Sequence, residues 1–180
     1  MRARRRSLAK SRSAKVNSAP LYLVAIDPSS NRSGIAWHPA TTPHDLHYGV
    51  PGRLERIDRY QPLIDLAASG ARLRVIIEKP GHLDARSAPV MTSVRMWRQL
   101  LIDLFPRRYK METVLPQKWQ KSLLAHVPDN WVEFPHERIN KRKSLWYAHK
   151  VLKIDVGMDD DLADALCLLA YLRLKWKGAA

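Results

Sequence analysis

Two short apolar runs decide what this chain can fold into. LYLVAID (residues 21–27) and RLRVIIE (72–78) are rich in β-formers, and each ends on a single carboxylate, Asp27 and Glu78. Runs of this kind have the pattern of buried strands. A buried strand needs cover, so the helices must come from elsewhere in the chain. PSSNRSG (28–34) is dense in turn formers. IAWHP and LHYGV read as two further short strands around the loop ATTPHD, and three strands in this order suggest an antiparallel meander.

The rest of the chain supplies the cover. Residues 53–69 read as a helix with apolar Leu54, Ile57, Leu63, Ile64 and Leu66, kinked by Pro62 and stopped by Gly70. Val90, Val94, Trp97, Leu101 and Leu104 recur at helical spacing. YKMETVLP (109–116) reads as a strand, QKWQKSLLAHV as a short helix, and HERINKRKSLWYAHKVL (136–152) as a basic helix. MDDDLADALCLLAYLRLKWK (158–177) forms a last, almost wholly apolar helix. This order specifies an α/β fold with a central mixed five-stranded sheet flanked by helices.

Charge narrows the partner. The 180 residues carry a formal charge of +14. The first nineteen hold Arg2, Arg4, Arg5, Arg6, Lys10, Arg12 and Lys15 and no acid, and residues 20–180 are basic as well. The 1–19 segment cannot form a core and reads as a disordered tail, either a DNA-gripping arm or, as the minor alternative, an organelle-targeting presequence. A basic body favours nucleic acid. The lone Cys167 excludes a disulfide framework and suits a reducing compartment, and it reads as a small core residue. No apolar run reaches the roughly 18 residues of a transmembrane helix, so no membrane partner is expected.

Against that background the acids stand out. Asp27 and Glu78 close their strands, where α/β sheets gather sites. Asp161 and Asp164 are i and i+3, hence on one face of the last helix. Asp159 or Asp160 can cap that helix. Asp164 lies past the cap among apolar residues, where an unpaired carboxylate is costly, so it should face a cation or a cleft. Four carboxylates of this kind suit two Mg²⁺ ions, with Mn²⁺ as a substitute, because hard cations want oxygen ligands. Two such ions about 4 Å apart can hydrolyse a phosphodiester. Zinc lacks support: the seven His form no H-E-x-x-H.

YLVAIDPSSNRSGIAW, VIIEKP and DLADAL together resemble the three acidic motifs of RuvC-type Holliday-junction resolvases, in order and spacing. The resemblance runs over about residues 20–175 and extends to the short bacteriophage members. It implies an RNase H-like nuclease domain over 20–180, with Asp27, Glu78, Asp161 and Asp164 as the Mg²⁺ ligands. It implies a crossover junction endodeoxyribonuclease that nicks a four-way junction symmetrically as a homodimer, in the cytoplasm of a bacterial or phage-infected cell. Lys143-Ser144 matches the family's lysine at the start of the penultimate helix, so Lys143 is expected to be catalytic. A second family lysine falls at Gln120, flanked by Lys118 and Lys121. DNA contacts are expected from Lys79, His82 and Arg86 in the loop KPGHLDARSAP, from Lys118 and Lys121, and from Lys141 and Arg142. Met91, Met96 and Leu100 offer an apolar face to a second copy. Trp119, Trp131 and Trp146 lie among cations and suit either DNA contact or core anchoring. Two other functions remain open: a less selective branched-DNA or RNA–DNA hybrid nuclease of the same fold, and a noncatalytic basic nucleic-acid-binding module.

Overall fold

The computed structural model describes residues 19–29, 32–42, 44–49, 60–81, 87–128, 134, 136 and 138–177. The basic tail through residue 18, the first part (53–59) of the helix expected over 53–69, His82, Arg86 and Trp131 lie outside the described residues.

Five strands form one sheet in the order β3-β2-β1-β4-β5: β1 Leu21–Pro28, β2 Ser33–Pro39, β3 His47–Gly49, β4 Arg72–Glu78 and β5 Tyr109–Val114. The first three make the expected antiparallel meander. β4 and β5 add in parallel to β1, so the sheet is mixed. Parallel pairing requires crossovers, and two helices supply them: α1 Gln61–Ala68 and α2 Ala88–Leu104. α3 Pro116–Leu123, α4 Ile139–Trp146 and α5 Asp160–Lys177 complete the chain.

The two-residue period of the strands divides the core into two layers. Leu23 and Ala25 of β1 and Ile76 of β4 face α3, α4 and α5. Val24 and Ile26 of β1 and Val75 and Ile77 of β4 face α1 and α2. Val94, Trp97 and Leu101 of α2 pack into the second layer, as their spacing predicts. Helix α5 is buried along most of its length, from Leu162 to Leu172. At about 2 kcal/mol for each buried Leu, this layer is the largest local gain in the fold. It can therefore carry an acidic tip that would be unfavourable by itself. Cys167 is a core residue of this helix, its thiol directed at the Ser144 carbonyl oxygen.

Two expectations change, and one open choice is decided. Pro62 does not kink a helix but starts one: it sits in the first turn of α1, where its missing N–H is not needed. The basic helix begins at Ile139 rather than 136, and past Trp146 it widens into a π-helical turn over Tyr147–Val151. Trp119 is fully buried and therefore a core anchor rather than a DNA contact, and Trp146 packs half-buried against the same layer.

Candidate active site

β1 and β4 run parallel with Ile26 beside Ile77, so their last residues, Asp27 and Glu78, emerge side by side. Both belong to the sheet face that α5 covers. The helix reaches them because Gly34 lies opposite Asp27 in the β1/β2 register. A Cβ at Gly34 would overlap the Asp161 carbonyl, so only glycine lets the first turn of α5 approach this closely. The result is a cleft of about 820 Å³ lined by Asp27, Glu78, Asp160, Asp161, Asp164 and Lys141. Glu78 Oε2 accepts a 2.5 Å hydrogen bond from the buried Trp119 indole, which sets its orientation.

The ammonium of Lys141 sits inside this ring of acids. Its Nζ lies 2.5 Å from Asp164, 3.2 Å from Asp160, and 3.9 Å from both Asp27 and Asp161. One cation cannot satisfy so many anions. Asp164 Oδ1 is buried with no hydrogen-bond partner among the described residues. Burial, then repulsion from Asp164 and Glu78, pushes Asp27 well above the ordinary carboxylate range. Burial, then Asp164, raises Glu78 to about 7. Burial also raises Asp164 despite its contact with Lys141. Burial works against the Lys141 charge, but Asp164 and Asp27 more than offset it, and its pKa is raised. The donor set suits hard divalent cations in its chemistry, with carboxylates lining one cleft, excess negative charge and an ammonium among them, although among the described residues the mutually closest carboxylate oxygens are those of Asp159, Asp160 and Asp161 rather than the four expected ligands.

Arg32, in the β1–β2 turn, forms the other wall. Its guanidinium lies 2.8 Å from Asp161, 3.4 Å from Asp159 and 3.8 Å from Asp160. These three aspartates offer oxygens within 4.8 Å of one another. Asp159 is the cap, accepting the Leu162 N–H at 2.9 Å. Asp160 is more than solvated charge: it faces the cleft, where Lys141 outweighs the effect of burial and lowers its pKa.

Of the cations expected at the site, the structure brings some in and leaves others out. Lys79 lines the cleft, and Lys141 enters it as the central ammonium rather than a peripheral DNA contact. Lys143 is not among the lining residues: two positions on from Lys141, it turns to another side of α4. Gln120 lines the cleft, its Oε1 accepting a 3.0 Å hydrogen bond from Asn140, while Lys118 and Lys121 are exposed on the outer side of α3. Arg142 lies outside the cleft with its Nε buried. Arg138, unremarked in the sequence, joins the lining.

The raised Glu78 carries a sign. Between about 4.5 and 7 the folded, metal-free protein keeps a proton that the unfolded chain has released. Its stability should then fall as pH rises through that window. In EDTA, the melting temperature is expected to decline from pH 5 to pH 8, and Glu78→Gln should flatten the decline. A parallel decline in the variant would remove Glu78 as its source.

No family model and no curated protein matches the chain. Solved structures do. The chain is similar to Thermus thermophilus RuvC in complex with Holliday junction substrate, with a TM-score of 0.58 and 14% identity over 88% of this chain and 96% of that one. A second T. thermophilus RuvC structure matches with a TM-score of 0.50 and 14% identity, over 87% and 96% of the two chains. The fold is that of RuvC. The RuvC-like, RNase H-like architecture expected from the three acidic motifs is therefore present, from the meander through the C-terminal helix. Among the described residues, no helix is long and apolar enough to cross a membrane.

Proposed function

We propose that the protein is a Mg²⁺-dependent, structure-selective DNA endonuclease that resolves Holliday junctions. The observation carrying this reading is the Lys141 ammonium held by four carboxylates at the ends of β1 and α5. Asp27, Glu78, Asp161 and Asp164 are the proposed ligands of two Mg²⁺ ions, for which Mn²⁺ would substitute. Bound there, the ions would supply Lewis-acid activation of water and stabilisation of the departing 3′ oxygen. The chain's own residues do the rest. The Trp119 indole fixes one Glu78 oxygen and leaves the other for the cleft. Metal binding would free Lys141 from its carboxylates, so that its ammonium can stabilise charge on the scissile phosphate. This assigns to Lys141 the role that the resemblance implied for Lys143. Lys79 and Arg138, with Gln117 and Asn140, line the approach and suit contacts to the flanking backbone. Lys118 and Lys121 extend that surface outward. The junction's two-fold symmetry calls for a homodimer, so that paired nicks fall on opposite strands.

The test is cleavage of a synthetic four-way junction in Mg²⁺ against EDTA. Paired nicks leaving 3′-hydroxyl and 5′-phosphate ends, only with metal, are expected. Faster cutting of a linear RNA–DNA hybrid would retain the nuclease and discard the resolvase. Binding without cutting in any divalent metal would leave a noncatalytic module.

A further inference from the structure

At the opposite end of the sheet lies a second cleft, and this one is basic. It has a volume of about 410 Å³ and is lined by Arg72, Arg74, Arg107, Arg108, Lys110 and Trp176, with no carboxylate among its described lining residues. Arg72 opens β4 and Glu78 closes it, so the cleft lies about 20 Å from the acidic site at strand rise. Helix α5 links the two ends, with Asp160 in its first turn and Trp176 in its last.

Its cations are not equivalent. Arg108 donates to the Ala67, Ala71 and Leu104 carbonyl oxygens and ties off helix ends. Arg72 donates to the Ala19 carbonyl oxygen and holds the start of β1. Those two have structural roles. The heads of Arg74, Arg107 and Lys110 make no hydrogen bond or ion pair among the described residues. The Arg74 guanidinium carbon lies over the Trp176 ring, 5.0 Å from its centroid. Lys110 pairs with Arg74 across β4 and β5, so both project from the same sheet face. Arg107 is exposed at φ 61°, a left-handed conformation in which glycine or asparagine would be less strained. The chain also enters the fold here, at Ala19, directly after the seven tail cations.

We infer that this cleft is a second nucleic-acid contact, gripping the phosphates of a strand through Arg74, Arg107 and Lys110 while the acidic site holds the scissile one. The inference rests on the chain being a DNA-binding protein but not on its cutting DNA. The guanidinium held over the indole provides a fixed positive charge, and the two exposed cations beside it flank a backbone path.

The test is fluorescence-anisotropy binding of a labelled 20-nucleotide single strand and of a four-way junction, in EDTA, across a salt series, using the full chain carrying Asp27→Asn. Arg107→Gly with Lys110→Gln is the variant. Glycine suits the left-handed backbone, so the fold should survive, with an unchanged or higher melting temperature. Binding is expected to weaken on the order of tenfold near 0.1 M salt, with the salt slope shallower by about 2. Lys153→Gly is the matched control, since Lys153 is exposed and also left-handed, at φ 60°. An unchanged affinity and slope in the variant would overturn the inference, as would an equal loss per charge in the control. If the parent chain binds neither DNA, this inference and the nuclease reading both fall.

Discussion

Asp27→Asn should abolish metal-dependent cleavage while making the metal-free protein more stable. Asp27 is 6% exposed, and its neighbours are acids and the single Lys141 ammonium, 3.9 Å away. As a proposed metal ligand it supplies charge that a neutral amide cannot replace. Loss of several kcal/mol of transition-state stabilisation corresponds to a rate at least about 10³-fold lower. Without metal the same carboxylate is a liability, since burial and the neighbouring Asp164 and Glu78 disfavour its charge. Its removal at pH 8 in EDTA should raise the melting temperature by a few degrees. Thermal melts and junction-cleavage rates on one preparation would read both effects. A variant that is both inactive and less stable would point to a structural role for Asp27.

Lys141→Met should have the converse effect on stability. The methionine keeps most of the side chain's volume but leaves Asp27, Asp160, Asp161 and Asp164 facing one another without their shared cation. Breaking a buried ion pair by removing one partner costs about 3–5 kcal/mol, far more than the 1 kcal/mol of an exposed pair. The Lys141 side chain is 19% exposed, and Asp164 5%, which places the contact nearer the buried case. Denaturant unfolding in EDTA should show a loss of that size, and Mg²⁺ should stabilise the variant more than the parent, because the ion no longer competes with an internal ammonium. A loss under 1 kcal/mol with an unchanged response to Mg²⁺ would mean that Lys141 is a surface cation.

The two predictions also indicate what the amino-acid sequence could and could not disclose. β1 and β4 were legible because buried strands read as short apolar runs. Asp27 and Glu78 were legible because each closes such a run. The i, i+3 spacing of Asp161 and Asp164 put both on one helix face, and both line the cleft. Arg32 was missed because a turn-forming segment gives no sign of which distant helix it will meet. Its role depends on Gly34 admitting the first turn of α5, a contact across more than 120 residues. The choice between Lys141 and Lys143 turned on helix register. Ser144 and Leu145 are buried on α4, and Lys141 sits three and four residues before them on the same face. That spacing was present in the sequence, but the expected start at residue 136 obscured where the inward face begins. Trp119, lying among lysines, suited DNA contact and core anchoring alike; its burial in the apolar layer under α5, which no local pattern marks, decides for the core.

Anomalous scattering from crystals soaked in Mn²⁺ would locate the ions. Peaks bounded by Asp27, Glu78, Asp161 and Asp164 are expected, with the Lys141 ammonium displaced from its contacts with Asp27 and Asp164. A peak confined to the outer Asp159, Asp160 and Asp161 cluster, with Lys141 still bonded to Asp164, would contradict the proposed ligand set.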